Sequence, residues 1–332
     1  MTSSSAASAG FDPTPYLHAQ RLVDVGRRRL NLYCTGAGSP TVILDAPSGA
    51  TNKIWYRVQP QIARTTRVCS YDRAGMGFSD PGPLPRDAAA LVSDLHSLLH
   101  RAGLAPPYVL VGHSSAGLHL QLYADRYSSQ VAGMMLVDPA VPYQSKRLQT
   151  VLPAYNLRFA SAARQDEACG AAAAAGNLKA GVAIFAQCGL DDATAMRRDC
   201  AQDGPALCKL DEINNELWQR PAPWRATASE LRSLDGASSK QVLDEQRSYG
   251  AMPLIVLTAA NTMNDLPVPA SKTQKVALSA EWKKLHDKIA SLSSVGVNFV
   301  IADSGHVIEF DRPMAVISAV DEVVDRARHR AK

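Results

Sequence analysis

The sequence predicts an α/β protein with a doubly wound, mostly parallel sheet of about eight strands. Three observations carry this. Short aliphatic runs alternate with helix-period segments along most of the chain. A pair of such runs around a basic turn opens it as a hairpin. A glycine–serine turn joins one buried run directly to a helix. The 332 residues are enough for one large α/β domain plus a substantial insertion.

Leu22–Val25 and Leu30–Tyr33 flank the turn Gly26–Arg29 and read as the antiparallel hairpin. Thr41–Leu44, Thr66–Ser70, Tyr108–Val111, Val131–Val137, Pro253–Leu257 and Val297–Ile301 follow as strands. Each is β-branched or aliphatic and bounded by turn residues, the pattern of strands buried on both faces of a parallel sheet. Between them, Asp87–Ala102 places Leu91, Leu95, Leu98 and Leu99 at helical spacing and stops at Gly103. Leu118–Arg126, Glu281–Ser291 and Met314–Arg328 are the remaining helices of the alternation.

From Pro139 to Gly250 the rhythm breaks. The segment is rich in Ala, Gln, Asp and Arg, includes the low-complexity run Gly170–Gly176, and offers no convincing strand. A structureless loop of that size does not suit a compact domain, so a helical insertion lying as a lid over the carboxyl ends of the strands is expected. The organisation is then a flexible tail over 1–19, core over 20–138, lid over 139–250 and core again over 251–332. Phe159, Phe185, Trp218 and Trp224 line a pocket in this segment or form its own small core, the commoner fate of such aromatics.

Composition narrows the function. Hydrophobic residues make up 46% and charged residues 20%, as in an ordinary globular chain. The net charge of +4 comes with no basic run interleaved with aromatics, which argues against a nucleic-acid partner. No apolar stretch has the ~18–20 residues that span a bilayer. Met1–Gly10 lacks a charged start and an apolar centre, and reads as a tail, not a signal peptide. The six cysteines form no C-x-x-C pair and have no histidine at ligand spacing, so zinc is not expected. They are either buried thiols or disulfides of an exported protein. Four of them (Cys169, Cys188, Cys200, Cys208) lie in a polar, loop-rich stretch, which favours a periplasmic or secreted location over the cytoplasm.

The chemistry concentrates at two places. Val109–Gly117 reads V-L-V-G-H-S-S-A-G: a buried strand, Gly112, a serine two residues on, small residues, and a helix at once. This is the layout of a nucleophile elbow, where a sharp turn exposes the serine hydroxyl and neighbours at −2 and +2 must be small. Ser114 is the candidate, with Gly112 at −2 and Ala116 at +2; alanine fits there, less comfortably than glycine at positive φ. Choosing Ser115 would put bulky His113 at −2. Val297–Pro313 ends the last strand in Ser304-Gly305-His306 before a new helix. A histidine on that loop is placed to act as general base, since imidazole titrates near working pH.

With both signals in view, the chain resembles the α/β-hydrolase family from about Leu22 to Val324, with only the lid unmatched. Tyr71–Asp80 (Y-D-R-A-G-M-G-F-S-D) is similar to the family's loop after its fourth strand, and Leu136–Ala140 (L-V-D-P-A) to the end of its sixth. The resemblance implies an α/β-hydrolase fold and a serine–acid–histidine triad in that chain order. Two acids remain open. Asp138 stands at the end of the Val131–Val137 strand, from which some members supply the acid; Asp265 lies on the loop after the next strand, the commoner location. Rigid placement favours Asp138. Asp303 is too near His306 in sequence to turn back on its ring. The resemblance also implies an oxyanion hole from the N–H groups of Ser115 and, on the loop Asp45–Ala50, of Ser48; Pro47 has none to give. It makes the strands of Cys34 and Cys69 neighbours, so that pair can bridge, leaving Cys169–Cys188 and Cys200–Cys208 as one of several connectivities.

The expected function is hydrolysis of an apolar small-molecule carboxylic ester through an acyl-enzyme, with no metal or organic cofactor required. The same apparatus serves amides, lactones, thioesters or acyl transfer. From another class, a non-catalytic ligand binder with a vestigial triad is the rival reading. Substrate identity and oligomeric state are not legible.

Overall fold

The computed structural model describes residues 12–179, 182–190, 205–265 and 269–330. Its centre is an eight-stranded sheet in the order β1-β2-β4-β3-β5-β6-β7-β8. The strands are β1 (Arg21–Asp24), β2 (Arg29–Thr35), β3 (Thr41–Asp45), β4 (Val68–Tyr71), β5 (Tyr108–His113), β6 (Val131–Val137), β7 (Leu254–Ala259) and β8 (Val297–Ile301). The hairpin pairs β1 with β2 antiparallel, and β2 runs antiparallel to β4. From β4 to β8 every pairing is parallel.

The strands from β3 to β7 are hydrophobic on both faces, and their alternate residues serve two separate cores. Leu110, Met134, Leu136, Leu254 and Val256 point to one side, where α2 (Ala88–Arg101), α3 (Ala116–Arg126) and the later helix Lys272–Ala290 cover them. Val109, Val111, Met135, Val137, Ile255 and Leu257 point to the other, under α1 (Gln59–Ile62) and the carboxyl-terminal helix Pro313–Arg330. Burial of aliphatic side chains on this scale is the main force holding the layers together. The expectation of two-sided burial fails at β8. It is the edge strand, so Phe299 and Val300 each remain 47% exposed.

Between β6 and β7 the described residues form helices and no strand. They include α4 (Gln144–Leu148), α5 (Arg158–Ala174), α6 (Ala183–Gln187), α7 (Pro205–Trp218), α8 (Pro221–Ser233) and α9 (Ser239–Glu245). After β7 come α10 (Lys272–Ala290), α11 (Ile308–Asp311) and α12 (Pro313–Arg330). The Ala-rich run after Gly170 suits the last turn of α5, alanine being the best helix former. Phe185, Cys169, Cys188 and Trp224 bury one another in a small core with Trp218 against it; Phe159 does not join them.

Two disulfides are described. Cys34 and Cys69 are register partners on β2 and β4, and Cys169 on α5 bridges to Cys188. Cys208 is also disulfide-bonded, while Cys200 lies outside the described residues. So do residues 1–11 of the expected tail. The rest of that stretch is not loose. Tyr16 is buried and donates to Oε1 of Gln59 at 3.0 Å, so the packed chain reaches back at least that far. No described helix is long and apolar enough to cross a membrane.

Candidate active site

The order of strands in the sheet places β4 on one side of β3 and β5 on the other. The loops leaving β3 and β5 therefore diverge and open a crevice at the carboxyl ends of the strands, the usual ligand position in such a sheet. Ser114 leaves β5 there, and Asp45–Ala50 leaves β3.

The turn at Ser114 is built from its neighbours. Its own φ is 54°, a left-handed backbone that is costly for a residue with a Cβ. Its carbonyl accepts the N–H groups of Gly117 at 2.9 Å and Ala140 at 2.7 Å, and its N–H donates to Val137 at 3.0 Å, which fixes the strained turn. A Cβ on Gly112 would stand 2.5 Å from Cδ1 of Leu120, which explains the glycine two residues before. The position two residues after behaves differently from expectation. Ala116 is already the first residue of α3, and the positive φ falls on Ser114 alone. The glycine is needed one step later, because a Cβ on Gly117 would stand 2.4 Å from Cβ of Pro139.

His306 comes in from the loop after β8. Its Nε2 lies 2.9 Å from Oγ of Ser114, and its Nδ1 lies 2.6 Å from Oδ2 of Asp138. The three side chains thus form one hydrogen-bonded line. Asp138 is the residue after β6, fully buried, with its own backbone at φ 39°. Asp265 ends the short turn Thr262–Asp265 beyond β7, and its side chain lies outside the described residues. Asp303 pairs with Arg312 at 3.0 Å, away from the imidazole.

The acid has an unusually full set of donors. Besides His306, Oδ2 of Asp138 accepts from the Thr262 hydroxyl at 2.5 Å, and Oδ1 accepts from the Ala259 N–H at 3.1 Å and the Trp282 indole at 2.9 Å. Burial alone would raise this carboxyl, but His306, the neighbouring His286 and the Thr262 hydroxyl outweigh it and hold it down at about 2. His286 stands 4.0 Å from Oδ1, and its Nε2 donates to the Pro139 carbonyl at 2.9 Å. Burial pushes the pKa of His286 below its ordinary value, against the pull of Asp138. On the other side, the ring of His113 lies 4.6 Å from that of His306, and its Nδ1 is 2.7 Å from Oε1 of buried Glu309. Burial opposes the charge of His113, yet Glu309 outweighs it and raises its pKa.

Thr262, Trp282 and His286 did not emerge from the sequence. Trp282 and His286 sit on one face of α10 four residues apart, which reads as ordinary core spacing; no sequence signal separates them from it.

The expected oxyanion pair sits where the loops meet, with one complication. The Ser48 N–H donates to Oγ of Ser115 at 2.7 Å, so a side chain occupies that donor here. The loop itself is held by Arg73. Its guanidinium donates to the Ala46 carbonyl, to the Pro47 carbonyl at 2.7 Å and to Oδ1 of Asp45 at 2.9 Å. It also forks onto Glu230 of α8 at 3.0 and 3.1 Å, and Glu230 accepts the Ser48 hydroxyl at 2.8 Å. Asp45 further accepts from Tyr71 at 2.9 Å and meets His119 at 2.7 Å.

A cavity of about 270 Å³ opens onto Ser114 and His306, walled by Ile54, Tyr155, Phe159, Leu234 and Trp282. Of the four aromatics singled out between β6 and β7, Phe159 lines it.

The chain has relatives. The model of the alpha/beta hydrolase family matches residues 38–320. The chain belongs to that family. Among curated relatives of this chain, a probable transporter of Hormonema carpetanum, efuK, is 31% identical over 135 residues, covering 38% of this chain and 19% of that protein. YqjL of Bacillus subtilis (strain 168) is 25% identical over 289 residues, covering 87% and 85%. The chain thus spans most of YqjL but about a fifth of efuK. Among solved structures, the enol-lactonase from Burkholderia xenovorans LB400 superposes with a TM-score of 0.58 at 16% identity, over 90% of this chain and 97% of that one. A thermophilic esterase from Thermogutta terrifontis gives 0.57 at 19%, over 90% and 94%. These likenesses are of fold.

Proposed function

We propose that this hydrolase cleaves carboxylic esters of small molecules through an acyl-enzyme. The observation that carries the reading is the hydrogen-bonded line from buried Asp138 through His306 to Ser114. A carboxylate held ionised at Nδ1 fixes the neutral imidazole with its free Nε2 toward the hydroxyl, and stabilises the imidazolium that forms. As Oγ of Ser114 attacks the ester carbonyl, its proton passes to Nε2 of His306. The carbonyl oxygen becomes an oxyanion, which takes over the Ser48 N–H as the Ser115 hydroxyl turns aside, with the Ser115 N–H as second donor. Collapse expels the alcohol, which carries off the proton from Nε2. Water then attacks the acyl group with His306 as base and regenerates Ser114.

The helical segment over 139–250 acts in this reading as the lid. It supplies Tyr155, Phe159 and Leu234 to the cavity walls, giving apolar surface for the acyl or alcohol part of the substrate. The bridges Cys34–Cys69 and Cys169–Cys188 support folding in an oxidising compartment, periplasmic or extracellular.

Hydrolysis of p-nitrophenyl esters across acyl chain lengths tests this, with Ser114→Ala and His306→Ala alongside. Short acyl chains are the expected preference, given a cavity of about 270 Å³, and both variants are expected to lose nearly all turnover. A Ser114→Ala protein with near wild-type rates overturns the reading.

A further inference from the structure

The cavity that opens onto Ser114 and His306 holds a fixed charge that the acyl-enzyme steps do not use. Arg158, the first residue of α5, lines it, and no lysine, aspartate or glutamate does so among the described residues. The guanidinium itself stands at the wall. Its Cζ lies 5.7 Å from the ring centroid of Tyr155 and 5.4 Å from that of Phe159, and both rings wall the same cavity. One arm of it, Nη1, donates to the Tyr155 hydroxyl at 3.1 Å. Burial raises the pKa of that hydroxyl against the pull of Arg158, and Asp235 and Asp138 add to the rise. The hydroxyl thus lies within electrostatic reach of the triad acid.

No carboxylate of the protein answers this cation. Arg73 and Arg86, also near the site, are filled by Asp45, Glu230 and Asp94. Asp235, the other acid beside Tyr155, accepts the Ser145 N–H at 3.2 Å. Arg158 makes no ion pair among the described residues; its contacts there are the two rings and the one hydroxyl. Stacking on aromatic faces holds a guanidinium in place while leaving its planar fork of N–H donors open.

We propose that Arg158 is a carboxylate receptor in the substrate cavity, so that the ester cleaved at Ser114 carries a free carboxylate elsewhere in the molecule. The proposal rests on the ester-hydrolase reading and narrows its substrate class. A monoester of a dicarboxylic acid has the required chemistry: a reacting carbonyl, an apolar spacer for walls such as Leu234, and a charged end. A planar carboxylate accepts two parallel N–H bonds from a guanidinium, and bonds of that kind are stronger than neutral ones. A phosphate dianion would call for further cations, which the lining lacks among the described residues.

The test is calorimetric titration of Ser114→Ala protein, which cannot form the acyl-enzyme, with the monomethyl and dimethyl esters of succinate, glutarate and adipate. The titrations are repeated with Arg158→Gln and Arg158→Lys added. Arg158 is partly buried at the start of α5, and glutamine is a good helix former, so Arg158→Gln is expected to fold. At least one monoester is expected to bind about tenfold or more tighter than its diester. With Arg158→Gln that preference is expected to vanish while diester binding is unchanged. With Arg158→Lys part of it is expected to return, since the charge is kept and the fork is lost. Equal binding of monoesters and diesters, no binding of any monoester, or a preference that survives Arg158→Gln overturns the subsite. A loss that falls equally on both ester classes overturns it too, because Arg158 would then only shape the wall. Turnover of p-nitrophenyl esters by the wild type separates the two readings. An active enzyme indifferent to the carboxylate sinks the subsite alone, and an inactive one with Arg158-dependent monoester binding sinks the hydrolase reading alone.

Discussion

The indole of Trp282 donates to Oδ1 of Asp138 at 2.9 Å, joining the middle of α10 to a carboxylate 144 residues earlier in the chain. The opposite oxygen, Oδ2, faces His306 at 2.6 Å. The indole thus pins the carboxylate from behind, leaving it one productive orientation toward the imidazole. A charged acceptor makes the bond worth about 1.5 kcal/mol or more. Trp282→Phe is expected to lower kcat about tenfold with little change in KM, because the ring still packs but the donor is gone. Steady-state kinetics on a p-nitrophenyl ester checks it; a change confined to KM would contradict the role.

Asp138 and Asp265 are separable by substitution. Asp138→Asn reverses the donor at Nδ1, and in a serine triad that exchange costs about 10⁴-fold in kcat. Asp265→Asn is expected to stay within about twofold of wild type, because Asp138 already occupies the position beside Nδ1 of His306. The same acid leaves a mark on stability. Its folded pKa of about 2 lies below the ordinary 3.8, so its contribution is present above pH 4 and lost as the pH falls toward 2. Chemical denaturation at pH 5 and pH 2.5 is expected to show a fall that includes about 2 kcal/mol from this group, absent in Asp138→Asn.

Glu230 ties the helical segment to the loop that carries Ser48. It is 5% exposed, Arg73 is 3% exposed, and the fork between them has no solvent to replace it. Removing one partner of a buried ion pair costs about 3 kcal/mol or more. Glu230→Ala is expected to lose that much in denaturation, and to lower kcat by releasing the Ser48 hydroxyl and loosening its N–H. Full kcat in a destabilised Glu230→Ala protein would separate the clamp from the chemistry.

Thiol titration addresses the compartment. Denatured and unreduced, the protein is expected to release none of its six cysteines as free thiol. Reduction is expected to lower Tm, since bridges such as Cys169–Cys188 restrict the unfolded chain. Six free thiols would remove the support for export.

The sheet was legible because buried parallel strands leave a signal that survives without context. Val131–Val137 and Val297–Ile301 hold the bounds read from the sequence, since aliphatic runs between turn residues have few other uses. The edge position of β8 was not legible, because exposure depends on sheet order and not on the strand itself. Ser114 and His306 stood out because the elbow restricts residue size locally and the loop after the last strand has a fixed place in the alternation. Asp138 could be ranked over Asp265 only by rigidity; what joins it to His306 is the crossing of β6 and β8 loops, which no local pattern encodes. The same is true of the Arg73–Glu230 clamp, whose meaning comes from partners brought together in space.

The most direct measurement is labelling by a fluorophosphonate, which reacts with a serine only when a base activates it. Mass spectrometry of the digested protein is expected to find one adduct, on Ser114, absent in Ser114→Ala and strongly slowed in His306→Ala. An unlabelled wild type, or an adduct on another residue, would contradict the triad at its centre.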